Sequence, residues 1–224
     1  MQKALIAWSS GKDSAWTLHE MRRDHRYEIV GALTTVSDVV DRVSMHGVRE
    51  ELLRRQLAAA ALDPFIVRIP NPCPNEIYES KMAAAMWDAK AAGVTHVIFG
   101  DLFLEEIRAY REAQLAKAGM AAIFPLWQRP TKALAREMIE SGLRAHLASV
   151  DLKKLTPDFA GRRFDTAMIE SLPRGANPCG ENGEFHTFVS AGPMFAGEIE
   201  LCIGGTTERD GFAYADLLPA NSCA

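Results

Sequence analysis

The stretch Ala4-Leu5-Ile6-Ala7-Trp8-Ser9-Ser10-Gly11-Lys12-Asp13-Ser14, followed by Ala15-Trp16-Thr17-Leu18-His19-Glu20-Met21, decides how the chain is read. An apolar run is broken by small polar residues and resumes with helical spacing, the pattern of a buried strand turning sharply into a helix. A loop at that place lies where the first helical amides lack partners and the helix dipole is positive, which suits phosphate. Ser9, Ser10 and Ser14 add hydroxyl donors, Gly11 allows close backbone approach and Lys12 adds a charge. Asp13 stands where a Walker A loop needs Ser or Thr, and the three spaced glycines of a dinucleotide fingerprint are missing. The plain alternative is a serine-rich turn capped by Asp13 or Ser14.

Outward from this stretch, residues 27–36, 64–69, 95–99 and 121–124 read as further strands. Helices are expected from 47, over 76–92 and over 105–118, the last two stopped by Gly93 and Gly119. Five strands alternating with helices predict a parallel, doubly wound α/β sheet with right-handed crossovers. Ligands then bind beyond the carboxyl ends of the strands, where Ser9 to Ser14, His46 and Gly100-Asp101 would share one edge. From about residue 130 the alternation stops. A helix over 132–140, a strand over 143–150, a short helix over 165–171 and β-like runs over 198–206 and 212–217 suggest a smaller α+β domain. The expected division is 1–128 and 129–224.

The 224 residues, 48% hydrophobic and 24% charged, describe an ordinary globular protein. A net charge of −4 gives no electrostatic footprint for extensive nucleic-acid contact. No apolar run approaches the roughly 20 residues that cross a bilayer, and the start lacks a signal-peptide shape. Cys73, Cys179, Cys202 and Cys223 are scattered, which argues against a zinc site or a disulfide scaffold and for a cytoplasmic home.

A second constellation runs from Gly175 through Asn177-Pro178-Cys179-Gly180-Glu181-Asn182-Gly183-Glu184-Phe185-His186-Thr187. Its glycines suit either close approach to a ligand or sharp turns around solvated acids. Cys179 has no base beside it in sequence, so a structural thiol is the expectation. Asp101 reads as a site residue or a strand-end cap, His46 as a site or surface histidine, and Arg111 as a phosphate contact or a solvated charge.

The loop is similar to Ser-Gly-Gly-x-Asp-Ser, the pyrophosphate loop of enzymes that cleave ATP at the α phosphate, with Ser10 in place of the second glycine. With Phe99-Gly100-Asp101, Arg111-Glu112, Pro125-Leu126-Trp127 and the Asn177-to-Thr187 segment, the chain resembles the diphthine–ammonia ligase family of adenine nucleotide α-hydrolase-like ATP pyrophosphatases. The family usually has Val where Pro178 stands and Gly where Asn182 stands. The resemblance implies adenylation of a carboxylate by ATP, loss of pyrophosphate and displacement of AMP by ammonia.

It implies that Ser9, Ser10, Gly11, Lys12, Asp13, Ser14, Gly100 and Asp101 hold ATP. Asp13 orders the loop or, with Asp101, holds Mg²⁺. Lys12, Asp13, Glu181 and Glu184 are the catalytic candidates, with Asn177, Cys179, Gly180, Glu181, Glu184 and Thr187 around the acceptor. The expected partners are ATP, ammonia and a carboxylate acceptor, small molecule or modified protein side chain, with no membrane and a homodimer allowed. Alternatives are an enzyme using another small carboxylate and a nucleotide-binding protein without turnover. A tRNA-thiolating enzyme would want paired cysteines and a basic face, and an amidotransferase would want a further glutaminase domain.

Overall fold

The computed structural model describes residues 1–222, so Cys223 lies outside it. Strands β1 (Gln2–Ala7), β2 (Tyr27–Ser37), β3 (Pro64–Ile69), β4 (His96–Ile98) and β5 (Ala121–Ile123) form one sheet in the order β3-β2-β1-β4-β5, with every pairing parallel. The connecting helices are α1 (Lys12–Met21), α2 (Glu50–Ala59), α3 (Asn75–Ala91) and α4 (Glu105–Lys117). The expected α/β sheet is therefore present. Chain progression reverses between β1 and β4, the point where such sheets open a crevice.

Helix α5 (Thr131–Glu140) leads to an antiparallel sheet of β6 (Arg144–Asp151), β7 (Phe185–Ala191), β8 (Leu201–Arg209) and β9 (Phe212–Pro219), ordered β7-β6-β9-β8. The short α6 (Thr166–Glu170) is capped by Asp165, whose side chain accepts from Met168 N at 2.8 Å. One core packs α3 and α4 against the parallel sheet through Leu33, Val67, Met86, Val97 and Leu115. The other core runs without interruption from Ile6, Trp16, Leu53 and Leu57 to Leu147, Phe185 and Phe188 of the second sheet. The antiparallel sheet thus seats on α1 and α2.

Two boundaries move for physical reasons. Helix α2 begins at Glu50 rather than 47, because Gly47 takes φ +67° and Arg49 stays extended to reach Asp216 of β9 at 2.7 Å. Strand β8 begins at Leu201 rather than 198 and runs on to Arg209, where Asp210 and Gly211, both at positive φ, turn the chain back so that Arg209 pairs with Phe212. Cys73 and Cys179 are free thiols, while Cys202 is disulfide-bonded. No described helix is long and apolar enough to cross a membrane.

Gly100 fixes how α1 meets β4. A Cβ there would lie 2.9 Å from the Asp13 carbonyl carbon and 3.0 Å from both the Asp13 oxygen and Thr17 Oγ1. Two of those contacts are backbone and cannot swing aside. Gly100→Ala should therefore lower unfolding free energy by about 1–3 kcal/mol, the usual range for overpacking. Urea denaturation measures this, and an unchanged midpoint would show that α1 can shift freely.

Candidate active site

Strand β1 ends in the loop that carries Ser9 to Gly11, and α1 begins at Lys12. Ser10 takes φ +70°, the left-handed conformation that glycine supplies without cost in the related motif. Its carbonyl accepts from Val189 N at 3.0 Å, and Gly11 N approaches Ser9 Oγ at 3.4 Å. Ser14 Oγ donates to the Gly11 carbonyl at 2.9 Å, which shapes the first turn. Gly11 is required by close approach: a Cβ would sit 2.8 Å from His46 Cε1 and 3.3 Å from the Thr187 carbonyl oxygen.

Ser9, Asp13, Ser14, His46, Gly100, Asp101, Arg111, Glu181 and His186 all line one cleft of about 640 Å³. Leu33, Thr35, Ile69, Tyr78 and Phe99 continue its wall as an apolar surface suited to a flat ring. The loop edge and the strand ends therefore share one opening, and the second constellation contributes two residues to it.

Lys12 is not among the lining residues. Its backbone N–H donates to Thr187 Oγ1 at 3.0 Å, and its ammonium lies 2.8 Å from Asp13 Oδ2 and donates to the Cys179 carbonyl. The rings of Phe164 and Phe185 lie 5.9 and 5.5 Å from Nζ. Burial pulls the ammonium pKa down, but Asp13, Cys179 and Glu181 outweigh that and raise it, so the group stays charged. Through these contacts Lys12 ties the loop to the second constellation.

Three acids face the cleft. Arg111 Nε lies 2.8 Å from Asp101 Oδ2, and the guanidinium stacks 4.3 Å from the Phe99 ring centre. Burial raises the Asp101 carboxyl above its ordinary range despite Arg111. Glu181 is pushed up to about 7, by burial first and then by the Asp13 charge. Asp13 has Oδ1 buried without a hydrogen-bond partner, while Oδ2 serves Lys12. Among the described residues no three His, Cys, Asp or Glu side chains converge as a metal cage. Magnesium in nucleotide sites needs only one or two carboxylates beside phosphate oxygens, a donor set that Asp13 and Asp101 fit.

Glu184, by contrast, is turned into its own segment. Its oxygens accept from Asn177 N at 2.8 Å, Asn182 N at 3.0 Å and Asn182 Nδ2 at 3.1 Å, and it is buried. Its carboxylate is an internal clasp and is not among the groups that line the cleft. Asn177 Oδ1 accepts from Cys179 N at 2.8 Å, and Gly180 turns at φ +72° against the Phe185 carbonyl. The Cys179 thiol, buried and 3.3 Å from the Thr131 carbonyl, is pushed up to about 12, so it is inert as a nucleophile. Asn177, Cys179, Gly180, Glu184 and Thr187 thus build the segment that presents Glu181.

Two residues had no role assigned from sequence. His186 stacks on His46 with ring centres 4.6 Å apart. Burial, then Lys12, pulls His186 down to about 4, and burial, then His186, holds His46 well below its ordinary range. His46 Nδ1 lies 3.1 Å from the Thr187 carbonyl, which only accepts, so Nδ1 carries the proton in the neutral ring. Gln56, wholly buried on α2, bonds to Ser10, Trp8 and Val189. Its signal was legible: a polar side chain on the apolar stripe of Leu52, Leu53 and Leu57.

Residues 130–213 match the family model described as the diphthamide synthase C-terminal domain. The chain is 39% identical to a Homo sapiens protein named diphthine–ammonia ligase over 153 residues, which are 66% of this chain and 57% of that protein. It is 34% identical to the Mus musculus protein of that name over 174 residues, covering 74% of this chain and 63% of the relative. The Danio rerio protein of the same name is 32% identical over 132 residues, 55% of this chain and 51% of its own. The chain thus spans between half and two thirds of the length of these relatives. With the parallel sheet, the antiparallel sheet and the segment that joins them in place, the chain is similar to the diphthine–ammonia ligase family over 66–74% of its length.

Proposed function

We propose that the chain is an ATP-dependent carbon–nitrogen ligase that adenylates a carboxylate and converts it to an amide with ammonia. The observation that carries this is the convergence of the α1 start, Asp13, Asp101 and Glu181 on one cleft at the reversal of the parallel sheet. The acceptor and nitrogen source are those in the relatives' names, diphthine and ammonia. We assign the nucleotide to residues 1–128 and the acceptor to 129–224, and place the enzyme in the cytoplasm.

The triphosphate lies over the first turn of α1, where the Asp13 and Ser14 amides and the Ser9 and Ser14 hydroxyls receive its charge. The adenine ring rests on the apolar wall of Leu33, Ile69 and Phe99. An acceptor carboxylate oxygen attacks the α phosphorus, and the bond to the pyrophosphate oxygen breaks. Asp13 and Asp101 would hold Mg²⁺, whose charge offsets that of the departing pyrophosphate. Glu181 takes a proton from ammonium. The nitrogen lone pair then forms the bond to the acyl carbon, AMP leaves with the electrons of the old carbon–oxygen bond, and the surplus N–H proton passes to water. A carboxylate held near pH 7 suits this transfer better than an ordinary one.

ATP incubated with ammonium and candidate carboxylates should yield AMP and pyrophosphate, separated by chromatography. ADP as the main product would refute α-phosphate cleavage. Ser14→Ala should stay folded and lose most of this turnover, because Ser14 lines the cleft and supports the loop.

The two glutamates should separate cleanly. Glu181→Gln is expected to bind ATP normally and slow amide formation by about 10²- to 10⁴-fold, the range for losing a proton-transfer group. Because Glu181 acts deprotonated, the parent rate should rise as pH increases through about 7. The Gln variant should lack that limb of the profile. Glu184→Gln places an amide donor against a backbone N–H and should lower stability by about 1–3 kcal/mol. If Glu184→Gln reproduces the kinetics of Glu181→Gln without loss of stability, the division of roles is wrong.

A further inference from the structure

Gln56 uses every hydrogen-bonding group of its amide. Oε1 accepts from Trp8 Nε1 at 3.0 Å, and Nε2 donates to the Ser10 carbonyl at 3.0 Å and to the Val189 carbonyl at 2.6 Å. Trp8 immediately follows β1, Ser10 is the turn of the loop, and Val189 belongs to β7 of the other sheet. The Ser10 carbonyl therefore receives two donors, Gln56 Nε2 and Val189 N. A buried amide with all partners made is worth more for fixing geometry than for net stability, since isolated polar groups in a core cost free energy.

The need for such fixing is local. Ser10 is held at φ +70°, where a Cβ is strained, and it is completely buried. Its side-chain Oγ finds no partner, so the serine does not stabilise its own turn. The orientation of the Ser10–Gly11 peptide also sets where Gly11, Lys12 and Asp13 fall, and Asp13 lines the cleft. Left to its own preference, the backbone at Ser10 would relax and rotate that peptide.

We propose that Gln56 is a positioning residue for the 9–14 loop: it holds Ser10 in the left-handed turn and fastens that turn to β7, so the cleft is formed before nucleotide arrives. The link to nucleotide rests on the proposed function, whereas the loop geometry does not. Gln56 touches neither the cleft nor a reacting atom. It acts through Ser10.

The test is a cycle of Gln56→Met, Ser10→Gly and the double variant. Methionine keeps volume and removes the amide. In nucleotide-free protein, hydrogen exchange at the 9–14 amides should speed up in Gln56→Met, while the core strands exchange as in the parent. Titration with ATP and Mg²⁺ should show affinity falling about tenfold in Gln56→Met, the effect of one well-placed hydrogen bond. In the Ser10→Gly background the same substitution should cost less than about threefold, because glycine needs no clamp there.

A merely structural Gln56 predicts lower melting temperature with unchanged affinity, and equal losses in both backgrounds; that result overturns the proposal. Unchanged loop exchange also overturns it. If Gln56→Met does not fold, Gln56→Glu enters the same cycle, since it keeps the acceptor for Trp8 and removes amide donors. A parent that exchanges as expected but neither binds nor cleaves ATP would sink the ligase assignment and leave the exchange result to decide on Gln56.

Discussion

The buried ammonium of Lys12 is the constraint on which the two halves of this protein depend. Taking such a charge out of water costs on the order of several kcal/mol unless it is compensated. Here the compensation comes from both sides of the molecule: Asp13 on its own helix, and the Cys179 carbonyl with the Phe164 and Phe185 rings from the C-terminal half. Separating the halves would leave the charge half-paired in an apolar site. The 9–14 loop and the 177–187 segment are therefore obliged to fold against each other.

That obligation sorts the acids. Asp13 is committed on one oxygen to Lys12, Asp101 is paired with Arg111, and Glu184 is consumed by backbone and side-chain N–H groups of its own segment. Glu181 lines the cleft under two like charges, Asp13 and Asp101, with partial relief from Lys12. Its elevated pKa follows first from burial and then from the like charges beside it. The neutral pair His46 and His186 adds no cation to that balance, because the same Lys12 charge and burial disfavour protonating them. A carboxyl pushed up to about 7 thus arises from burial and neighbouring charge together.

Much of this was legible in the chain. The alternation of apolar runs and helical stripes dictates the parallel sheet, and the break after residue 130 marks the change to an antiparallel one. The small residues at Gly11 and Gly100 also stood out, although both are required by protein contacts, His46 and the α1 backbone, in addition to any ligand. What sequence could not separate was Glu181 from Glu184. Both acids lie among glycines three residues apart, and only the fold of the segment decides which one turns inward. The fate of Lys12 was hidden for a related reason: its carbonyl partner lies 167 residues away. Ser10 departs from the glycine of the related motif, and the groups that hold its turn, Gln56 and Val189, lie on other elements.

The distribution of similarity along the chain follows from the same geometry. The matched family model covers 130–213, which contains the Glu181 segment, Thr187 and Val189 but not the 9–14 loop. A loop that meets a helix start to bind phosphate is a general device, available to many α/β sheets. What individualises this cleft is the sheet that grips the loop from behind, through Thr187 on the Lys12 amide and Val189 on the Ser10 carbonyl, and that carries Glu181 to its mouth. A shift in β7 would displace the loop and the acid together. The second sheet is therefore both the foundation of the loop and the support from which Glu181 enters the cleft.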